Sequence, residues 1–228
     1  NLFVIAPVTI LAPKWYFNGL FEIIKKQQLQ WGDKKACVTL SFDCDFQEDV
    51  EALPKLLQIL SQYSFKTGFA CIGKWIEQYP AEHREIIQEG HEIVNHTYSH
   101  PNNEELGNLK RFNELSESEQ EIEIVRCHEV CQHYLNYEPI GFRIPHFGAL
   151  YTSTVYEILK KLDYLYSSST VAARSPGSGS PFVTEHGILE FPVSPCPEHP
   201  FGILDTHHAF RKKHAWHRKN GEFYALFQ

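Results

Sequence analysis

The sequence predicts an α/β fold with parallel strands, as in a barrel of the TIM type or a degenerate version of one. Two observations lead to this prediction. Short apolar segments rich in β-branched residues alternate with longer segments whose apolar residues recur at helical spacing. Such strand–helix–strand units join parallel strands through right-handed crossovers. The 228 residues are enough for one domain of this kind, and no internal repeat is visible.

The first predicted strand covers residues 36–42, where Val38, Leu40 and Phe42 alternate with polar residues. Further strands are predicted at 65–72, 91–95, 141–144, 164–168 and 188–193, and helices at 48–63, 75–89, 116–134 and 156–162. Pro80 marks a break or a first turn in the second helix. Residues 221–228 resemble the start of another helix, so we expect the native chain to continue to a closing strand.

The helix at 116–134 has the clearest local signals. Ser116 and Glu119 have the spacing of a capping box, which predicts that the helix begins there. The helix is predicted to turn four apolar residues toward the core: Ile122, Val125, Val130 and Leu135.

Composition narrows the class of protein. The net charge of -7 at pH 7, with no basic run longer than residues 211–213, argues against a nucleic-acid partner. The six cysteines form no Cys-x-x-Cys pair, and we interpret them as buried free thiols in a reducing compartment. This interpretation favours the cytoplasm. Homo-oligomer formation stays open.

Residues 1–35 are predicted to form an N-terminal arm that precedes a catalytic domain at 36–228. The apolar run at 2–12 is too short to cross a bilayer. Residues 15–26 have the pattern of an amphipathic helix with a basic end. A helix packed across the domain is the preferred interpretation, but membrane association through this segment, anchoring and export stay open.

Two carboxylates, Asp43 and Asp45, follow the first predicted strand. Side chains two apart on a strand share a face, so both can reach one small volume. Close carboxylates repel each other unless a cation lies between them or one binds a proton. They therefore indicate a metal site with an adjacent base. The alternative is that the aspartates end the strand and cap the next helix.

Three further polar residues lie at or just after the ends of later predicted strands. His96 and His100 have the spacing that aims two imidazoles at one point from a single helical turn, and Arg143 lies in the fourth strand. The carboxyl ends of parallel barrel strands converge on one face. Two histidines with one carboxylate suit zinc or a similar divalent ion and leave positions open for water and substrate. The second carboxylate is then free to act as a base toward that water.

These segments resemble the motifs of the polysaccharide deacetylase family, also called the NodB-homology or carbohydrate esterase 4 group. The family's Thr-Phe-Asp-Asp motif is similar to residues 41–45, its His-Ser/Thr-x-x-His motif to residues 96–100, and its Arg-x-Pro motif to residues 143–145. The resemblance implies a distorted (β/α)7 barrel of NodB type, here lacking its last strand. It also implies removal of an acetyl group from an N-acetylated amino sugar.

The resemblance implies a role for each matching residue. Asp45, His96 and His100 would hold zinc or another divalent metal, and the Asp43 base would activate the metal-bound water. Arg143 would orient Asp43 through a charge-assisted hydrogen bond. The backbone N–H near His146 would stabilise the oxyanion. The general acid is predicted to be His207 or His208, with His146 and a residue beyond Gln228 as alternatives.

Several features depart from the family pattern and keep other functions open. Cys44 separates the two aspartates, as in allantoinase-like members, so a metal-independent cyclic amide or ureide hydrolase is an alternative. No carboxylate occupies residues 166–170, where the family's fourth motif belongs, so an inactive glycan-binding module is another. The substrate, an N-acetylated glycan or a small amide, stays open. Four aromatic residues are candidate walls for sugar stacking: Trp75, Tyr98, Phe147 and Tyr151.

Overall fold

The computed structural model of the chain describes residues 32–34, 37–107, 109–147, 154–172, 175–176, 179–196, 199–210 and 225. The predicted N-terminal arm, except for residues 32–34, and the predicted helix at 221–228, except for residue 225, lie outside the described residues. The division at residue 35 therefore stays a prediction. No described helix is both long enough and apolar enough to cross a membrane.

The chain divides into two compact units. One contains Ala36–Ser169 and Val183–Glu190, and the other contains Asn1–Lys35, Thr170–Phe182 and Phe191–Gln228. The elements through Glu190 are β1 (Ser41–Cys44), α1 (Gln47–Gln62), β2 (Gly68–Cys71), α2 (Gly73–Gln78), α3 (Pro80–Gln88), β3 (Glu92–Asn95), a 3-10 turn (Phe112–Glu114), α4 (Glu117–Leu135), β4 (Gly141–Phe142), α5 (Thr154–Lys161), β5 (Tyr166–Ser167), β6 (Phe182–Val183) and β7 (Leu189–Glu190). The other unit also contains an antiparallel pair, β8 (Pro195–Cys196) and β9 (His199–Ile203), and α6 (Thr206–Phe210).

The main sheet has seven strands in the order β1-β2-β3-β4-β5-β7-β6. The pairs from β1 to β7 are parallel, with Asp43 opposite Ala70 and Cys71 opposite Asn95. This confirms the predicted parallel α/β fold. Within the described residues the sheet does not close, because β1 and β6 form its two ends, as expected for a distorted barrel.

Two clusters of buried side chains pack around the sheet. One lies between helices α1, α2, α3 and α4 and strands β1, β2 and β3, and contains Phe69 and Ile76. The other lies around β4 and α5 and contains Phe112, Phe142 and Leu159. Each of these five side chains is fully buried, so together the clusters hold the strand ends in fixed positions.

The structure confirms half of the predicted core face of α4 and corrects the rest. Val130 and Leu135 are buried as predicted, but Ile122 is 61% exposed. Ile124, Cys127 and Cys131 are fully buried and complete the helical stripe. The predicted capping box is confirmed, because the backbone N–H of Ser116 donates to Glu119 Oε2 at 2.7 Å.

The first strand begins later than predicted. Its pairing with β2 starts at Ser41, and Val38 and Leu40 before it are 93% and 49% exposed. The alternation at 38–42 therefore does not mark a buried strand face. The predicted helix at 75–89 is two helices, α2 and α3, and Pro80 forms the first turn of α3. All six cysteines are free, but Cys37 is exposed.

Candidate metal centre

Asp43 and Asp45 lie at the carboxyl end of β1, and each side chain is 27% exposed. The carboxylate that caps α1 is Asp49, which accepts hydrogen bonds from the backbone N–H groups of Asp45 and Phe46 at 2.9 Å. The alternative in which the two aspartates cap this helix is therefore wrong. Trp75 donates from Nε1 to the backbone oxygen of Asp45 at 3.0 Å, which fixes the main chain at this point.

His96 and His100 lie in the loop after β3, and not on a helical turn as predicted. Thr97 and His100 have φ values of 66° and 49°, in the left-handed region that side chains usually avoid. Local hydrogen bonds hold this path: Asn95 Oδ1 accepts from the Thr97 N–H at 2.9 Å, and Thr97 Oγ1 accepts from the His100 N–H at 3.2 Å. The left-handed residues bring the two imidazole centroids within 4.9 Å.

One donor atom from each of Asp45, His96 and His100 lies within 4.8 Å of the other two, an arrangement that could hold a metal ion. Oδ1 of Asp45 is 3.3 Å from His96 Nε2 and 3.5 Å from His100 Nε2. This buried oxygen has no aligned hydrogen-bond partner among the described residues. A buried acceptor facing two imidazoles fits a divalent cation, because an unsatisfied carboxylate oxygen is otherwise costly to bury.

The outer hydrogen bond of His96 fixes its tautomer. Its Nδ1–H donates to the backbone oxygen of Arg143 at 2.7 Å, which leaves Nε2 with a lone pair on the side of Asp45. Histidine ligands in metal sites commonly carry such a bond on the second ring nitrogen. The contact also ties the end of β4 to the loop after β3.

Charge and burial shift the pKa values of the three donors. Burial alone would raise the pKa of Asp45, but the contact with His96 and the charges of the nearby imidazoles hold it well below its usual range. Burial alone would lower the pKa of His96, but Asp45 and Asp43 raise it. Burial lowers the pKa of His100 to about 3, so this imidazole is neutral, as a metal ligand must be.

Arg143 lies beside the other carboxylate, Asp43. Its Nη1 donates to Asp43 Oδ1 at 2.7 Å, and only 10% of its side chain is exposed. Nη2 donates to Ser168 Oγ at 3.0 Å and Nε donates to the Ser168 backbone oxygen at 3.3 Å. Residues 166–170, which contain no carboxylate, therefore still anchor Arg143 through Ser168.

The predicted acid candidates differ in position. His146 is exposed, has a φ of 56°, and lies with its ring centroid 4.7 Å from that of His100. His207 is exposed on α6, in the other compact unit. The side chain of His208 lies outside the described residues. The roles predicted for His146 and His207 stay predictions.

Two of the proposed sugar-stacking aromatics are buried in the fold. Trp75 and Tyr98 are 4% and 6% exposed, so neither offers a ring face to a sugar. Phe147 lies 5.2 Å from the Arg143 guanidinium, and Tyr151 lies outside the described residues. The contacts of Ser168 with Arg143 and of Glu123 with Ser99 carried no local sequence signal, because each joins residues more than 20 positions apart.

Comparisons with known proteins agree with this geometry. A family model described as polysaccharide deacetylase matches residues 32–167, which is more than half of the chain. A peptidoglycan-N-acetylglucosamine deacetylase of Bacillus cereus is 35% identical over 112 residues, covering 49% of this chain and 37% of that relative. The matched segment thus spans little more than a third of that protein.

Solved structures show the same fold. A Mycobacterium smegmatis structure assigned to the polysaccharide deacetylases matches with a TM-score of 0.68 and 21% identity, over 87% of this chain and 72% of that one. A carbohydrate esterase 4 pseudoenzyme from Bacillus anthracis matches with a TM-score of 0.50 and 21% identity, over 61% of this chain and 43% of that one. The family match, the parallel sheet and the clustered aspartate and histidines lead to one conclusion: the chain belongs to the polysaccharide deacetylase family.

Proposed function

We propose that this protein is a metal-dependent hydrolase that removes the acetyl group from an N-acetylated amino sugar in a glycan. The observation that carries the proposal is the convergence of Asp45, His96 and His100 beside the Asp43–Arg143 pair. Family membership and the peptidoglycan-N-acetylglucosamine deacetylase of Bacillus cereus support the substrate class. A cytoplasmic location, favoured by the free thiols, stays a prediction.

The three donors would hold zinc or another divalent transition metal. Two imidazoles and one carboxylate match the ligand sets of catalytic zinc sites, which keep a further position open. When bound, such an ion polarises the acetamide carbonyl and acidifies a water molecule.

Asp43 is the proposed base that accepts the proton of the attacking water. Its carboxylate is fixed by Arg143 through a bond of 2.7 Å, so it is held in one orientation beside the metal ligands. The backbone N–H of His146 is the proposed donor to the developing oxyanion. The water oxygen bonds to the carbonyl carbon, the C–N bond breaks, and a general acid protonates the leaving amine. The products are acetate and the free amino sugar.

The test measures acetate release from N-acetylglucosamine oligomers and peptidoglycan fragments by protein stripped of metal and then reloaded with zinc. We expect turnover only after reloading. Asp43→Asn should lose about 100- to 10,000-fold in kcat while it still binds zinc, because it removes only the base. Asp163→Asn, at an exposed position before the amino end of β5, is the matched control.

Two outcomes would contradict the proposal. Activity that is indifferent to chelation, above all ring opening of allantoin-like substrates, would favour the metal-independent hydrolase. Glycan binding with no turnover on any of these acetylated substrates would favour the inactive module.

A further inference from the structure

The loop that carries both histidine ligands has a conformation that needs support. Thr97 and His100 both have positive φ values, a strained conformation that persists only where the surroundings hold it. The side chains of Asn95 and Thr97 accept hydrogen bonds from the backbone N–H groups of Thr97 and His100, at the two ends of the loop. Tyr98 and Ser99, which lie between Thr97 and His100, are fixed by a different part of the chain.

Glu123 on α4 binds Ser99 through both carboxylate oxygens. The Ser99 backbone N–H donates to Oε2 at 2.8 Å, and the Ser99 hydroxyl donates to Oε1 at 2.7 Å. The backbone oxygen of Glu123 accepts a third hydrogen bond, from the Tyr98 N–H at 2.9 Å. Ser99 is 93% buried, so water cannot easily replace these bonds. Both oxygens of one carboxylate thus hold the residue that directly precedes His100.

Arg126, one turn further along α4 from Glu123, also contacts the loop. Its guanidinium carbon lies 3.6 Å from the centroid of the Tyr98 ring, a cation–π contact. The Tyr98 hydroxyl donates to Glu77 Oε2 at 2.8 Å, so the ring is fixed at its edge as well. Glu123 and Arg126 are three residues apart on α4 and therefore face the same loop.

We propose that Glu123 is a positioning residue for the metal centre: it holds Ser99 so that the His100 imidazole stays next to Asp45 and His96. This inference rests on the proposed function, because it assumes that these three residues bind a metal. It predicts that metal affinity depends on a carboxylate in α4 that touches no ligand atom. Outer contacts of this kind typically change metal affinity about 10- to 100-fold when removed.

The experiment is a zinc titration of the full chain in competition with a chromophoric chelator, with the melting temperature of the metal-free protein measured alongside. Glu123→Ala loses both side-chain bonds to Ser99, and we expect zinc to bind about 10- to 100-fold more weakly. Glu123→Gln should restore most of this loss, since its amide oxygen can accept from the Ser99 N–H while its NH2 donates to the hydroxyl. Glu129→Ala, at an exposed position of the same helix, should match the wild type.

Ser99→Ala keeps the backbone bond and loses only the hydroxyl bond, so zinc binding should weaken about two- to tenfold. This milder variant decides the question if Glu123→Ala does not fold. Equal zinc affinity in the wild type, Ser99→Ala and Glu123→Ala would overturn the inference and leave the proposed function intact. A Glu123→Gln variant as weak as Glu123→Ala would also overturn it, because the hydrogen bonds would then not be the cause. A wild-type protein that binds no zinc would overturn both.

Discussion

Replacement of Arg143 tests whether the orientation of Asp43 controls catalysis. The guanidinium makes three hydrogen bonds, one to Asp43 and two to Ser168. Arg143→Ala removes all three, whereas Arg143→Lys keeps a positive charge but cannot reach the three acceptors with the geometry of a planar fork. Ser168→Ala removes only the bond from Nη2 to the hydroxyl.

The expected magnitudes follow from these contacts. A hydrogen bond between charged groups contributes about 1.5–3 kcal/mol, and every 1.36 kcal/mol changes a rate about tenfold. If that energy is used to hold the base, Arg143→Ala loses about 10- to 150-fold in kcat/KM. Ser168→Ala should lose about two- to tenfold, because the other two bonds remain. Arg143→Lys should fall between them.

The assay is kcat/KM for acetate release, measured together with zinc affinity. His96 donates to the backbone oxygen of Arg143, which the substitutions leave in place, so zinc affinity should be unchanged. A lower kcat/KM with an unchanged zinc affinity would show that the substitution disturbs the orientation of Asp43 and not the metal site. Full activity in Arg143→Lys, or a loss in Ser168→Ala as large as that in Arg143→Ala, would refute the reasoning.

Two further predictions concern stability. His83 is fully buried, donates from Nδ1 to the Tyr79 backbone oxygen at 2.8 Å, and has a pKa that burial lowers. In the unfolded chain the imidazole of His83 binds a proton with a pKa near 6.5, whereas the buried imidazole of the folded protein resists protonation. The free energy of unfolding should therefore fall as the pH drops below about 6.5. Urea unfolding of His83→Asn should show a weaker dependence on pH. A Cβ on Gly73 would lie 2.8 Å from Cδ2 of Tyr98 and 3.2 Å from the Cα of Cys127. Gly73→Ala should therefore cost about 1–3 kcal/mol in urea unfolding and weaken zinc binding, and an unchanged variant would contradict this packing.

Local sequence patterns predicted helices and strands well where the packing and the capping signals indicate the same element. The pair Ser116 and Glu119 marked the start of α4, and Pro80 marked the first turn of α3, because both signals act within a few residues. The core face of α4 was half predicted: Val130 and Leu135 are buried, but the stripe also contains Cys127 and Cys131, which were not counted in it. Free cysteine packs like a small apolar residue, so it belongs in such a stripe.

The geometry of the histidine loop could not be derived from spacing. A four-residue interval suits one turn of helix, but His96 and His100 reach the same point through left-handed residues at 97 and 100. The Asn95 side chain stabilises that path by accepting a hydrogen bond from the Thr97 N–H. Glu123, which lies on α4 and 24 positions after Ser99 in the chain, holds Ser99. Spacing identified the candidate ligands, and long-range contacts set their positions.

By itself, the sequence determined the parallel α/β class and the residues available for chemistry, because hydrophobic period and side-chain type are local properties. The family resemblance implied how those residues divide, but only the tertiary structure supplies the contacts that divide them. Asp45 joins the two histidines, while Asp43 pairs with Arg143, a residue 100 positions away. The positions of the strand ends impose this division: β1 brings both aspartates to one edge of the sheet, and the ends of β3 and β4 supply different partners to each.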